Sequence, residues 1–176
     1  MNRDWELLRE AHHRSIDDFI VRAEAIPEPA WEQPCDPEKW SPAQIAEHLR
    51  LTYAVIGGEL AGGLGIRIRT RWWQRQLLRL KVLPVILARG NIPRAALAPR
   101  EIRPGPGPFP RSQVLGALRG SSASAEALLL RQLHGGGGGI THHAFGRLTP
   151  AQALRFAAVH NWHHMAQLPE AALAGS

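Results

Sequence analysis

Residues Thr149–Gln167 read T-P-A-Q-A-L-R-F-A-A-V-H-N-W-H-H-M-A-Q and carry the clearest structural signal in the chain. The stretch opens as a helix does. Thr149 can cap the first turn, Pro150 suits the first helical position, and Gln152 stands where a capping box places its second partner. Apolar residues then recur at roughly helical spacing. We therefore predict a helix that starts at Thr149 and buries one face.

Two histidines share a face of this predicted helix. His160 and His164 are four residues apart, which is about one turn. Two imidazoles at this spacing can bind one ion, and many proteins hold a metal on a helix in this way. Gln167 lies on the same side a further turn along. The spacing predicts a two-histidine half-site.

A third ligand is needed, because catalytic zinc sites usually have three protein ligands and one open position. His48 is the best candidate, since it lies on another predicted helix, beside its apolar stripe and far away in sequence. The alternative is that the three histidines are unrelated, some packed and some exposed. His163 could replace either helical partner, although a position to one side, exposed or supporting a ligand, is the favoured interpretation.

Other candidate groups have weaker support. A metalloprotease of the His-Glu-x-x-His type needs a glutamate after its first histidine, and this chain has Asn161 there. Glu47 precedes His48 but points about a third of a turn away, so we expect a surface or supporting group. His142 and His143 lie in a predicted loop and could approach the end of the bundle, but we expect them to be surface residues. No function is assigned to His12, His13 and His134.

Three further amphipathic helices are predicted before Thr149. They span 4–26, 41 to just past 60, and 112–133. The second begins at Ser41-Pro42-Ala43-Gln44, with the same capping pattern as Thr149. No strand is predicted. Four amphipathic helices with long connections indicate an all-α four-helix bundle, in which facing helices can build a metal site.

A long segment separates the second predicted helix from the third. Residues 66–89 predict a short amphipathic helix that ends at Pro84, and the prolines from 93 to 110 predict a loop. Gly135–Gly139 is interpreted as a flexible connector. It is not a phosphate-binding loop, because no Gly-Lys-Ser/Thr follows it.

The composition is that of a globular protein. The 176 residues are 44% apolar, and they suffice for one domain, 1–176, with a sizeable core. The single cysteine, Cys35, excludes an intrachain disulfide and is interpreted as buried or incidental rather than nucleophilic. The N-terminus lacks the apolar core of a signal peptide, and no apolar run is long enough for a transmembrane segment. We expect a cytoplasmic protein.

The formal net charge is +6, and the excess is concentrated in one region. From Arg67 to Arg103 the only acid is Glu101. An anionic partner would explain this asymmetry, but a solvated cationic face is the favoured interpretation. Trp72 and Trp73 could stack on nucleic-acid bases. However, no nucleic-acid motif accompanies them and tryptophan at this spacing is more often core, so nucleic-acid binding is disfavoured. Membrane-surface docking by the same segment has no better support from the sequence.

Two motifs in this order point to a family. W-S-P-A-Q-I-A-E-H-L (Trp40–Leu49), followed by H-N-W-H-H-M-A-Q-L (His160–Leu168), resembles the DinB-like superfamily of metal-binding four-helix bundles. The intervening H-A-F-G-R-L-T-P-A-Q-A-L-R-F (His143–Phe156) is similar to an uncharacterised branch of that superfamily. The long insertion between helices 2 and 3 is a departure from the simpler members.

The resemblance implies an up-down-down-up bundle with a metal held at one end by His48, His160 and His164. It also implies a divalent ion, commonly zinc or nickel, and a tendency to form homodimers. Characterised relatives include thiol S-transferases that use bacillithiol or mycothiol, and isomerases of thiol adducts.

Two hypotheses about function follow. The first is a metal-dependent enzyme, a transferase that uses a low-molecular-weight thiol or a hydrolase, acting on a small-molecule substrate. In it, Gln167 or Asn161 would orient the ligands through hydrogen bonds. The alternative is a non-catalytic binding or interaction module whose metal site is structural or vestigial.

Overall fold

The computed structural model describes residues 3–90, 92 and 97–169. Its helices are α1 (Arg3–Glu24), α2 (Glu28–Trp31), α3 (Pro42–Leu60), α4 (Trp72–Leu77), α5 (Leu83–Arg89), α6 (Arg111–His134) and α7 (Pro150–Met165). A π-helical segment, Leu78–Val82, joins α4 to α5, and a 3-10 turn, Arg100–Ile102, precedes α6. Two short strands, β1 (Ile140–His142) and β2 (Gly146–Leu148), lie before α7. The prediction of an all-α fold is confirmed. No helix in the described ranges has the length and apolarity to cross a membrane.

Side-chain contacts give the relative directions of α1 and α6. Arg119 near the middle of α6 bonds Asp17 in the second half of α1, at 2.9 Å. Further along α6, Glu126 accepts from Arg9 in the first half of α1, also at 2.9 Å. The contacts move backward along α1 as they move forward along α6, so these two helices are antiparallel.

Contacts of α7 complete the topology. Asn161 donates to Ser15 at 2.9 Å, and Arg22, later in α1, donates to the carbonyl of Leu168 at 3.1 Å. Helices α1 and α7 therefore run in the same direction. The start of α3 meets the end of α7 at the histidines described below, so α3 runs opposite to both. The order is up-down-down-up, as the family resemblance implied.

The core of the bundle draws on all four long helices. Phe19, Leu49, Leu118 and Leu154 come from α1, α3, α6 and α7, and each is at most 1% exposed. Helix α3 packs most extensively on α6, and α1 on α7. Because burying one such side chain is worth about 1.5–3 kcal/mol, this core holds the helices at fixed positions.

The two predicted capping boxes are confirmed. Ser41 Oγ accepts from the backbone N–H of Gln44 at 3.2 Å, and the Gln44 side chain accepts from the Ser41 N–H at 3.0 Å. Thr149 and Gln152 make the same pair of bonds at the start of α7. Each box fixes where its helix begins, and therefore which way the histidines further along that helix point.

The segment between α3 and α6 differs from its prediction. Pro84 does not end the helical run, because it lies in the first turn of α5, where a proline needs no backbone N–H. The run therefore continues from Trp72 to Arg89 through the π-helical segment. Residues 91 and 93–96 of the predicted proline-rich loop, including Pro93, lie outside the described residues.

The hairpin of β1 and β2 is an element that the sequence analysis missed. The strands are antiparallel, with Ile140 opposite Leu148 and His142 opposite Gly146. Three-residue strands are too short to show an alternating pattern. The glycine run leads into this hairpin, and Gly139 is required there. Its φ is +75°, and a Cβ at this position would lie within 1.9 Å of the Leu148 carbonyl oxygen.

Candidate metal centre

The structure brings together the three histidines predicted from the sequence. Nε2 of His160 lies 3.3 Å from Nε2 of His48 and 3.1 Å from Nε2 of His164. All three ligand atoms lie within 4.8 Å of one another. Two nitrogens bound to one tetrahedral zinc ion, each at about 2.05 Å, are about 3.3 Å apart. The spacing of the three nitrogens therefore suits a single ion between them.

A backbone carbonyl orients His48. Its Nδ1 lies 2.7 Å from the carbonyl oxygen of Ile102, in the 3-10 turn of the long insertion. Because a carbonyl only accepts, Nδ1 carries the proton and donates it, which leaves the lone pair of the imidazole on Nε2. Outer contacts of this kind hold metal-binding histidines in the correct tautomer. The insertion thus contributes directly to the site.

His164 is oriented in the same way by a side chain. Its Nδ1 lies 2.9 Å from Oε1 of Gln167, and it donates to that oxygen. This is the contact expected for Gln167. Asn161, the other residue proposed to orient a ligand, points elsewhere, since its amide donates to the hydroxyls of Ser15 and Tyr53.

The three imidazoles are neutral near pH 7. His48 is 2% exposed and His164 is 7% exposed, while His160 is half-buried. Burial lowers the pKa of His48 to about 4. Burial, together with the neighbouring imidazoles, also holds the pKa values of His160 and His164 well below the usual value. The neutral form is the one that binds metals, so protons do not compete for the lone pairs at this pH.

Two aromatic rings pack against the three clustered histidines. The ring centroid of Trp40 lies 4.8 Å from that of His48, and Phe156 stacks on His160 at 6.2 Å. Such rings offer no hydrogen-bond acceptor and reduce the contact of the imidazoles with water. The three histidines therefore suit a divalent ion in the spacing of their nitrogens, in the tautomers of His48 and His164, in their neutral charge and in their largely apolar surroundings.

The expectation that His142 and His143 are surface residues is wrong. Both are half-buried, and the ring of His142 lies 4.7 Å from Phe145 and 4.8 Å from Phe156. Burial lowers the pKa of His142 to about 3. The hairpin that holds these residues packs against α7. His142 thus packs against Phe156, the ring that stacks on His160.

Three remaining candidates lie outside the cluster. The ring of His163 lies 5.3 Å from that of His164, and its Nε2 lies 3.0 Å from Nε2 of Gln167. Glu47 is mostly buried and binds Arg50 at 2.6 Å, so its carboxylate is committed to a neighbour on its own helix. Cys35 is exposed, which excludes the buried interpretation.

A second group, His12, His13 and Glu126, also has its potential ligand atoms within 4.8 Å of one another. It is less suited to a metal, because Arg9 already places a cation 2.9 Å from the Glu126 carboxylate. His12 is 1% exposed, and the sequence analysis assigned it no function. Its spacing of four residues from the buried Ile16 is the signal that could have placed it in the core.

His12 belongs to a buried chain of hydrogen bonds. Asn161 donates to the Tyr53 hydroxyl at 2.8 Å, Tyr53 bonds His12 Nε2 at 2.8 Å, and His12 Nδ1 bonds Glu126 at 2.8 Å. One arrangement of protons satisfies every link, with Tyr53 donating to Nε2 and His12 donating to the carboxylate. The chain ties α1, α3, α6 and α7 together beside the three clustered histidines.

Replacing Gln167 with alanine tests the orientation of His164. We expect the affinity for zinc to fall by about 10-fold, which is near the lower end of the effects seen when a residue that supports a metal ligand is removed. The effect should be small because Gln167 is exposed and water can partly replace it. Competition against a chelator measures the change. Gln113→Ala, an exposed glutamine on α6, is the control and should bind zinc as the parent does. Equal affinity of the Gln167 variant and the parent would show that this contact does not orient a ligand.

Comparison with known protein families identifies a match. Residues 11–168, which include all three clustered histidines, match the family model of the DinB superfamily. No curated protein and no solved structure matches the chain at a significant level. The match covers most of the 176 residues, and the fold agrees with it. The chain therefore belongs to the DinB superfamily.

Proposed function

We propose that this protein is a metal-dependent enzyme that holds a divalent ion, zinc or nickel, on Nε2 of His48, His160 and His164. The reaction is the transfer of a low-molecular-weight thiol to a small-molecule substrate, or a hydrolysis at the same site. The observation that carries the proposal is the convergence of three neutral imidazoles, two of which, His48 and His164, are oriented by hydrogen bonds.

The number of ligands supports catalysis over a structural role. Structural zinc sites usually have four protein ligands, whereas catalytic ones have three and an open position. Within the described part of the chain, no fourth histidine, cysteine or carboxylate joins the cluster. Nitrogen ligands of this type suit zinc, nickel and copper better than magnesium or calcium.

Each surrounding residue has a separate role in this proposal. The Ile102 carbonyl and Gln167 keep the lone pairs of His48 and His164 directed at the ion. Trp40 and Phe156 limit the access of water from two sides. A divalent ion with an open position supplies Lewis acidity, which makes a thiol or a water molecule a better nucleophile near neutral pH.

Cobalt(II) tests whether the site is open, since its visible absorption reports coordination number and ligand type. We expect the cobalt-loaded protein to show a changed spectrum, with a sulfur-to-cobalt charge-transfer band, when 2-mercaptoethanol is added. His160→Ala should abolish the band, and His134→Ala, at an exposed position, should retain it.

The opposite result is equally informative. A tetrahedral cobalt spectrum that does not respond to the thiol would indicate a closed, structural site and would contradict the enzyme proposal. Gel filtration after each addition confirms that the cobalt remains on the protein rather than on the thiol.

A further inference from the structure

The helical run from Trp72 to Arg89 exposes large apolar side chains. This is a correction to the sequence analysis, which favoured a core position for the two tryptophans. Five side chains on this run are roughly half exposed or more: Trp72 (70%), Trp73 (49%), Leu77 (55%), Leu80 (73%) and Val85 (47%).

Trp73 and Leu77 are four residues apart within α4 and therefore share a face, and Trp72, Leu80 and Val85 are exposed along the same run. The opposite side of the run anchors it to the bundle. Leu83 and Ile86 are 2% and 3% exposed and belong to the core. The run is therefore apolar on two sides. Packing on the bundle explains the apolar residues of one side. It does not explain those of the other side, which we call the outer face and define as Trp72, Trp73, Leu77, Leu80 and Val85.

The helical run carries cations without acids to balance them. Arg71 and Lys81, next to Trp72 and Leu80 in the chain, are exposed, whereas Arg75 and Arg79 lie against the hairpin at Gly146 and Arg147. Arg71, Arg75, Arg79 and Lys81 form no ion pair with any acid in the described ranges. The one acid between residues 67 and 103, Glu101, lies 3.8 Å from Arg69. A partner for this face must therefore offer both an apolar phase and negative charge.

We propose that the outer face docks the protein on the surface of an anionic lipid bilayer. Tryptophan and leucine on one face, with arginine and lysine at its edges, is the pattern of helices that lie in the membrane interface. The phosphates of anionic lipids would neutralise the cations, while the apolar side chains enter the boundary of the acyl chains. The other side of the run stays packed on the bundle, so the helix lies along the surface.

Charge distinguishes this occupant from a second copy of the chain. In a symmetric dimer the same patch meets itself, so the exposed Arg71 and Lys81 of both copies would enter one interface with no acid of the run to pair with them. A nucleic acid would satisfy the cations, and tryptophan could stack on bases, but Leu77, Leu80 and Val85 would remain exposed. The bilayer accounts for both sets of side chains. The inference does not depend on the proposed function.

Vesicle sedimentation with the full chain tests the proposal. We expect binding to vesicles of phosphatidylcholine with about 30% phosphatidylglycerol, little binding to phosphatidylcholine alone, and weaker binding as salt is raised. The double variant Trp72→Ser, Trp73→Ser should lower the partition coefficient at least 10-fold. The matched control is Leu7→Ser with Val21→Ser, which removes two side chains on α1 that are 58% and 66% exposed.

Three results would overturn the proposal. One is a failure of the parent to bind the anionic vesicles, and another is equal loss of binding in the α1 control. The third is a dimer in sedimentation velocity, or binding of an oligonucleotide, that the tryptophan variant abolishes while vesicle binding is unchanged. Circular dichroism of both double variants verifies that each remains folded.

Discussion

Replacing His160 with alanine is expected to lower the affinity of the protein for zinc or nickel by at least about 100-fold, beyond what loss of an outer partner costs. The reason is geometric. Nε2 of His160 lies 3.3 Å from Nε2 of His48 and 3.1 Å from Nε2 of His164, so it is within ligand spacing of both other nitrogens. Removing it leaves two ligands on opposing helices with no third donor between them.

Metal analysis and competition titration of purified parent and variant measure the effect. His48→Ala should give the same loss, although it changes a different helix. The control is His13→Ala, which removes a half-exposed member of the second histidine group and should leave metal affinity unchanged. Stoichiometric binding that survives His160→Ala and disappears in His13→Ala would place the ion at the second group instead.

The arrangement of helices explains why residues so far apart in sequence meet. His48 is in the second turn of α3, and His160 and His164 are in the last turns of α7. Because these two helices are antiparallel, the beginning of one lies beside the end of the other. The site thus forms at one end of the bundle, where the chain is close to solvent and the helices are already held by their cores.

The sequence predicted this part of the structure well, since the signals were local and periodic. The capping boxes at Ser41 and Thr149 marked two helix starts, and the spacing of His160 and His164 placed them on one face. The position of His48 beside an apolar stripe on another predicted helix made it the best third ligand, and the family resemblance implied the same three residues.

Other features depended on tertiary structure that leaves no mark on residue type. The Ile102 carbonyl that orients His48 is a backbone group, so any residue could supply it. The exposure of Trp72 and Trp73 contradicts the usual tendency of tryptophan, and only the packing of the run reveals which of its two apolar sides faces outward. His142 appeared to lie in a loop because a three-residue strand has no detectable period.

The second large effect concerns stability. Glu126→Gln is expected to lower the free energy of unfolding at neutral pH by about 3 kcal/mol. Glu126 is 6% exposed and accepts hydrogen bonds from Arg9 at 2.9 Å and from His12 and His13 at 2.8 Å. Glutamine would point an amide N–H at one of these donors and would remove the charge that pairs with Arg9.

The pH dependence of stability tests the same carboxylate. Burial alone would raise the pKa of Glu126, but the hydrogen bonds from His12 and Arg9 prevail and lower it from 4.5 to about 2. As pH falls below 4.5, the unfolded chain takes up this proton before the folded one, so unfolding is favoured. The contribution of Glu126 is therefore complete above pH 4.5 and is lost between 4.5 and about 2.

Denaturant titrations at neutral pH and in steps down to pH 3 would show both effects. In Glu126→Gln we expect a lower free energy of unfolding at neutral pH. We also expect that free energy to fall less steeply in acid, because the variant lacks the carboxyl group that takes up a proton on unfolding. Asp17→Asn is the matched control, since Asp17 also joins α1 to α6 but both partners of its pair with Arg119 are more than half exposed. Such exposed pairs contribute about 0–1 kcal/mol. If the two variants lost equal stability, or if the acid decline of Glu126→Gln matched the parent, the buried carboxylate would not be the group that joins these helices.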